Sequence, residues 1–484
     1  MSNTADELWS QWVNPSDVLS LLLLIGGDII QKAIAQLVGC SIKPFGRCRL
    51  RVGITPVAFS FGWVAYGFNN LLSVIGEKRL MPTSDGASIV INCSNAFTRT
   101  NRSWILNRLL RDHETNHAVN SSSSYGSILS STLSNGPAES IRIDIFELGL
   151  PSEPSLDTVW WLGWITIVLQ IAIALPAWII FGDWGVMMIV LCGNLLALIT
   201  SALPQWSQEK WAGRTLDSEN VFCLTRGNGH LHVMVFICCK GSWNLETLAT
   251  ATSTPRPETP IISLVLAILW MCILISVAGL KERSWFLIGI GGIGMLQNVY
   301  AAGKARDPST ADFHLTKFSR MPTIIGKRRK VRDDLDSNAD LIEAEAELSE
   351  LSEWQENFHL KKDPEEHQMP KWLDSMQSRD GAPAWLEALR NDDEIANVNG
   401  ALMELEKWVP TAGLAMVQVF FPGGLQYQKE AIRDNMHKKF WSRAYHTRKI
   451  RKGAERARRE KEGGLQGGES NNLQRADALS PSQV

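Results

Sequence analysis

Cysteine is scarce, with 8 in 484 residues, and scattered, so the chain has no disulfide framework of the kind that holds small secreted domains together. An excess of one charge is missing too. Lys and Arg number 48 against 50 Asp and Glu, so the whole is close to neutral, and no nucleic-acid reader fold is recognisable. Common enzyme signatures are absent: there is no Walker phosphate loop, no GxSxG elbow, no Cys-x-x-Cys pair and no aspartate-rich diphosphate motif. Residues 1–15 lack a basic start, so they do not read as a cleaved signal peptide. Tyrosine is rare at 5 while tryptophan reaches 19, a bias that the distribution of apolar residues explains.

Apolar residues crowd the part of the chain before Gly303 and charges the part after it. Four stretches, 52–76, 158–182, 184–208 and 259–280, contain no Asp, Glu, Lys or Arg. Each has the ~20 residues needed to cross a hydrocarbon core of about 30 Å. A fifth, 284–303, is shorter and glycine-rich. A soluble helix of such length shows polar residues at helical period on its wet face, and these runs do not. The run 18–39 is a sixth candidate, interrupted by Asp28, Gln31, Lys32 and Gln36. Asp28 and Lys32 stand one helical turn apart with the acid first, a spacing that favours pairing. Trp12, Trp160, Trp161, Trp184, Trp206, Trp211 and Trp285 sit near the ends of the runs, where an amphipathic ring suits the headgroup zone. GIGGIG at 289–294 imitates a phosphate loop but lies in an apolar span, where close helix packing is its expected use.

These features predict a mainly α, polytopic membrane protein. About six transmembrane helices form three hairpins, with a small membrane-proximal β-sheet and a helical polar C-terminal tail. The expected divisions are an N-terminal segment (1–15), hairpin 1 (16–81), a Ser-rich polar loop (82–157), hairpin 2 (158–206), a β-containing segment (207–258), hairpin 3 (259–303), a charged helical tail (304–462) and a disordered end (463–484). Six spans put both termini and the long loops on one side. The opposite tips then carry Lys43, Arg47, Arg49, Arg51, Lys281 and Arg283. The other side holds Lys78, Arg79, Arg142, Lys210, Arg214, Lys304, Arg306, Lys317, Arg320 and the KRRK run at 327–330, and this balance places the tail in the cytoplasm.

The polar segments carry patterns of their own. VFCLTR and HLHVMVFI flank Gly227-Asn228-Gly229 and predict a β-hairpin. SIVIN (88–92) and IRIDIF (141–146) are further strands, with Ile141, Ile143 and Ile145 on one face. Ser121 to Ser124 open a flexible linker. In the tail, 331–409 holds 21 acidic and 7 basic residues, with Leu341, Leu348, Leu351, Trp354 and Phe358 along one helical face. The stretch 432–461 holds 12 basic and 3 acidic residues, with Ile432, Met436, Phe440 and Trp441 on one side. Such a helix fits a protein partner, an anionic membrane surface or the acidic helix of the same chain.

His113-Glu114-Thr115-Asn116-His117 spells HExxH. On a helix, His113 and His117 share a face and can hold zinc while Glu114 acts as base. The charged approach at Arg111 and Asp112, the early helix end at Asn120 and the lack of a declared third ligand (Glu139 and Glu147 stand nearest in sequence) weigh against it. His230 and His232 read as strand residues. Asn92, Asn101 and Asn120 are glycosylation sequons, relevant only if their loop is lumenal. The polar residues Asp28, Gln31, Lys32, Asn69, Asn70, Gln170 and Asn194 lie inside the apolar runs and are the candidates for a transport path. No cofactor is called for.

ITPVAFSFGWVAYGFNNLLSVIG (54–76), ALPQWSQEKWAGR (202–214), LTRGNGHLHVMV (224–235), GIGMLQN (292–298) and VFFPGGL (419–425) resemble a family of multi-pass membrane proteins from filamentous fungi that has no assigned activity. The resemblance implies an architecture and no active site. The expected function is therefore a non-catalytic, membrane-anchored interaction or accessory protein, with transport second and zinc proteolysis third.

Overall fold

The computed structural model describes residues 26–39, 41–42, 52–84, 86–117, 139–251, 256–280, 284–328, 395, 397–409 and 411–422. Its helices are α1 (Gly27–Leu37), α2 (Trp63–Gly76), α3 (Trp104–Asn116), α4 (Thr158–Ile179), α5 (Trp184–Ser201), α6 (Pro204–Lys210), α7 (Leu245–Thr250), α8 (Thr259–Gly279), α9 (Ser284–Gly303), α10 (Asn397–Trp408) and α11 (Ala412–Phe420). Its strands are β1 (Ser41–Ile42), β2 (Val52–Gly53), β3 (Ile89–Asn92), β4 (Phe97–Thr100), β5 (Glu139–Leu148), β6 (Asn220–Thr225), β7 (His232–Cys238), β8 (Leu315–Lys317) and β9 (Thr323–Lys327). Among the described residues, four helices are long and apolar enough to cross a membrane: α4, α5, α8 and α9. Ile165, Val168, Leu195, Ile261, Val265 and Leu296 point outward from them, as lipid-facing residues do. Trp161, Trp184 and Trp285 are exposed at helix ends, whereas Trp160 and Trp206 are fully buried and belong to the core instead of the expected aromatic belt.

Helix packing closes a ring in the order α1, α2, α8, α5, α4, α9 and back to α1. Sequential helices α4 and α5 pack together across the turn at 180–183. By contrast α8 packs chiefly on α2 and α5, and α9 on α4 and α1, so the third expected hairpin separates into two sides of the ring.

Two of the six apolar runs are not single long helices in the described residues. In 52–76, Val52–Gly53 pairs with Ser41–Ile42, and residues 54–60 carry no helix. The chain turns at 61–62 and only then enters α2. Pro56 has no N–H to give a helix. Gly62, at φ +90°, takes a left-handed conformation that other residues resist. In 18–39, α1 begins at Gly27 after Gly26 at φ +93°, and 18–25 lies outside the described residues.

Both short helices run toward the sheet. Gly26 lies against Met295, midway along α9, while Gln36 Nε2 donates to Lys304 O beyond the end of α9 (3.3 Å). Trp63 stacks on Trp270, midway along α8 (5.0 Å), and past the end of α2 the Leu80 N–H donates to Glu209 on α6 (2.9 Å). Gly39, just ahead of β1, packs on Trp211 at that same level. Gly39 and the paired strands β1 and β2 therefore lie on the sheet side. The arm 54–62 enters from there, reaches the middle of the four long helices, and returns as α2.

One mixed sheet has the order β4-β3-β6-β7-β5-β8, with β9 also on β5, and all pairs are antiparallel except β5–β7. The expected hairpin is present as β6–β7, with Gly227 and Gly229 at positive φ in its turn. Ile141, Ile143 and Ile145 share one buried face, which α10 and α11 cover. The opposite face, with Phe146, Phe222, Leu224 and Phe236, joins the core that runs into the helix ring. Trp408 Nε1 bonds Glu404 (2.9 Å), and Glu406 accepts the Thr411 and Leu414 N–H groups, capping α11. The acidic helix around Leu341–Phe358, the basic helix 432–461, the linker after Ser121, and Trp12 lie outside the described residues.

Candidate functional site

The arm 54–62 carries backbone groups that no helix satisfies, in a region where water is excluded. Side-chain amides from three helices take that role. Asn194 on α5 accepts the Phe59 N–H (3.0 Å), and Gln170 on α4 donates to Phe59 O (2.6 Å) and to Ile290 O (3.0 Å). Asn194 also donates to Gln170 Oε1 (3.1 Å). On α9, Asn298 donates to Ala58 O (3.2 Å) and Ser60 Oγ (2.7 Å), and Gln297 accepts from Ala58 N (3.5 Å). Ser201 closes the sheet-side end by donating to Thr55 O (3.1 Å). Each of these bonds removes the cost of about 1–3 kcal/mol that an unsatisfied buried polar group would carry. Non-helical backbone at bilayer depth is tolerated only when protein encloses it in this way.

Glycines make the room. A Cβ at Gly163 would collide with Pro56 O and one at Gly294 with Phe59 O, while Gly193 and Gly291 admit the rings of Phe59 and Phe61. The GIGGIG stretch thus serves close packing as expected, but against an extended arm, with Gly289 and Gly292 facing open space.

The polar residues picked from sequence do not form one path. Gln170 and Asn194 meet at Phe59, and Gln297 and Asn298, which the sequence did not single out, hold the neighbouring Ala58 and Ser60. Gln31 donates to Leu80 O (2.7 Å) at another level. Asn70 is buried on α2 with its Oδ1 unbonded among the described residues, Asn69 and Asp28 are exposed, and Lys32 is half-buried. GIGMLQN contained the missed signal: a Gln-Asn pair ending an otherwise apolar run.

Where the ring meets the sheet domain, buried charges cap helix ends. Arg108 donates to Ala302 O and Lys304 O (2.8 Å each) at the C-terminus of α9 and pairs with Asp112 (3.1 Å). Lys210 donates to Gln36 O (3.3 Å) and Val38 O (2.9 Å) at the C-terminus of α1. Asp157 caps the N-terminus of α4 and pairs with Arg306 (2.7 Å), which also reaches Gln36 O. Cations thus sit on orphan carbonyls and an anion on orphan N–H groups, as the helix dipole favours. Between them lies a cavity of about 20 Å³ lined by Gln36, Arg108, Asp112, Lys210 and Arg306, room for about one water.

The HExxH segment forms the end of α3. His113 is buried, and its Nε2 shares a hydrogen bond with Asp144 Oδ2 on β5 (2.9 Å). Asp144 also accepts from Arg142 (2.9 Å) and Thr323 (2.6 Å). Burial pushes the Asp144 carboxyl up, but hydrogen bonds from His113, Arg142 and Thr323 outweigh it and hold the carboxyl well below the usual range. Glu114 is clamped by Arg226 (2.9 Å). The His117 ring lies 4.5 Å and the His232 ring 6.1 Å from that of His113. Burial and the neighbouring His113 lower the pKa of both. Among the described residues no three His, Cys, Asp or Glu side chains gather in a metal-binding group. Glu139 and Glu147 are on β5, yet Asp144, which the sequence did not single out, is the acid that meets His113.

Two sequons are built into the fold. Asn92 is buried and donates to Glu246 (2.8 Å); Asn101 is buried and donates to Ser88 (2.9 Å). Neither amide can carry a glycan in the folded domain, and Asn120 lies outside the described residues. No family model, no curated protein and no solved structure matches the chain.

Proposed function

We propose that the protein is a non-catalytic, multi-pass membrane protein that holds its sheet domain against the bilayer as a docking module for partners. The observation that carries this reading is how the polar groups are used. The bundle amides serve the backbone of an internal arm, and His113 and Glu114 serve ion pairs, leaving no chain of groups aligned for transport or metal chemistry among the described residues. Four spans cross fully, and the arm with α2 is a re-entrant hairpin open to the sheet side. The sequence resemblance to fungal multi-pass proteins favours the same architecture and adds no activity.

The paired strands β1 and β2 lie on the sheet side, and the basic residues read from the sequence favour a cytoplasmic sheet domain and tail by the positive-inside rule. The basic stretch 432–461 is the segment offered to an acidic protein partner or an anionic leaflet. Identification of what co-purifies with the tagged, detergent-solubilised protein tests the docking reading, and a 432–461 deletion should lose the partner. Bundle amides that, once replaced, abolish solute uptake in vesicles while leaving the fold intact would overturn it.

A further inference from the structure

We propose that Cys93 and Cys223 are a dithiol–disulfide couple, a covalent modification site that joins β3 to β6 beneath the α10–α11 layer. Their Sγ atoms lie 3.3 Å apart, and both side chains are buried. Sheet register explains the approach. Ile91 stands opposite Cys223, and the Cys93 N–H donates to Val221 O, so the two cysteines are diagonal neighbours on one face of the sheet. Cys93 is the first residue of the turn 93–96, just past the end of β3. Bond formation needs the sulfurs to close from 3.3 Å to about 2.05 Å, with the backbone of the turn moving along with the two side chains. The other described cysteines do not compete. Cys238 belongs to the core on the other side of the sheet, Cys239 bonds Leu148 O, and Cys192 and Cys272 are exposed on α5 and α8.

The reaction is thiol–disulfide exchange with a small disulfide oxidant. The first thiolate attacks one sulfur of the oxidant and releases one thiol, forming a mixed disulfide. The second cysteine then attacks its partner's sulfur and releases the second thiol. Two protein thiols are oxidised to one disulfide while one oxidant disulfide is reduced to two thiols. Burial and the contact with Cys223 raise the Cys93 thiol, which slows the first step and ties its rate to opening of the covering helices. This inference does not rest on the docking reading, because the sheet geometry is the same whatever the domain binds.

The test uses the full-length protein in detergent, incubated with glutathione disulfide, then denatured, alkylated, digested and analysed by mass spectrometry. The expected result is a linked peptide containing Cys93 and Cys223, with alkylation of both falling together by about tenfold or more and restored by dithiothreitol. The linked peptide should be absent from Cys93→Ser and Cys223→Ser. Full alkylation of both residues after treatment, or a disulfide from Cys93 to any other cysteine, would overturn the proposal, and the wild-type measurement decides this even if a variant folds poorly.

Discussion

Asp144 gathers His113, Arg142 and Thr323, and that convergence decides what HExxH does in this chain. The two imidazoles share a helix face as the spacing requires, yet His113 spends its Nε2 on a carboxylate and Glu114 is held by Arg226. His113→Ala should leave zinc content unchanged and destabilise the domain by about 1–3 kcal/mol, since Asp144 loses a buried partner. Elemental analysis and thermal unfolding would check the two halves. The cluster also predicts a pH response. His117 and His232 face His113, Asp144, Arg142 and Glu114, and their lowered pKa values mean that the unfolded chain takes up protons first. Stability from them is complete above the ordinary histidine pKa of about 6.5 and is lost as pH falls below it through the folded values. The depressed Asp144 acts in the same direction, but only in stronger acid. The melting midpoint of the detergent-solubilised protein should therefore be flat above neutrality and decline below it, with a shallower decline in His117→Gln.

At the scale of elements, the extended arm 54–62 is the feature that composition alone conceals. An uncharged stretch of 25 residues has the length of a span, but Pro56 and Gly62 divide it, and the divided backbone survives because Gln170, Asn194, Gln297 and Asn298 reach it. Gly294→Leu should cost about 1–3 kcal/mol by forcing α9 off the arm. Gly292→Leu, two residues away on the open face, should be nearly neutral. Thermal denaturation in detergent separates the two, and equal effects would show that the arm is not seated on Gly294. Gln170→Leu keeps the volume but strands two carbonyl oxygens and the Asn194 amide, so it should destabilise the bundle while leaving membrane insertion unchanged.

For the whole molecule, the ring and the sheet domain share one core, joined by Arg108, Lys210 and Arg306 at helix ends. The protein should sediment with membranes after alkaline extraction; recovery in the supernatant would remove the bilayer from every argument above. Sidedness has a direct measure. Gly53→Cys and Gly182→Cys, both at exposed positions, should label from opposite faces of sealed vesicles with a membrane-impermeant maleimide, where three complete hairpins would put both on the same face.

Much of this was legible in sequence, because hydrophobic length and period-2 alternation are local properties. The four long helices, the β6–β7 hairpin and the Ile141, Ile143, Ile145 face follow from residues within one window of the chain. What no window contains is which distant group will satisfy a backbone or a charge. The reversal of the arm depends on amides over 100 residues away, the fate of HExxH on an aspartate 31 residues downstream, and the sheet's outer face on α10–α11. Sequence by itself set which segments leave water; tertiary structure decided which polar groups they take with them, since a buried donor or acceptor must find its partner wherever the fold brings one.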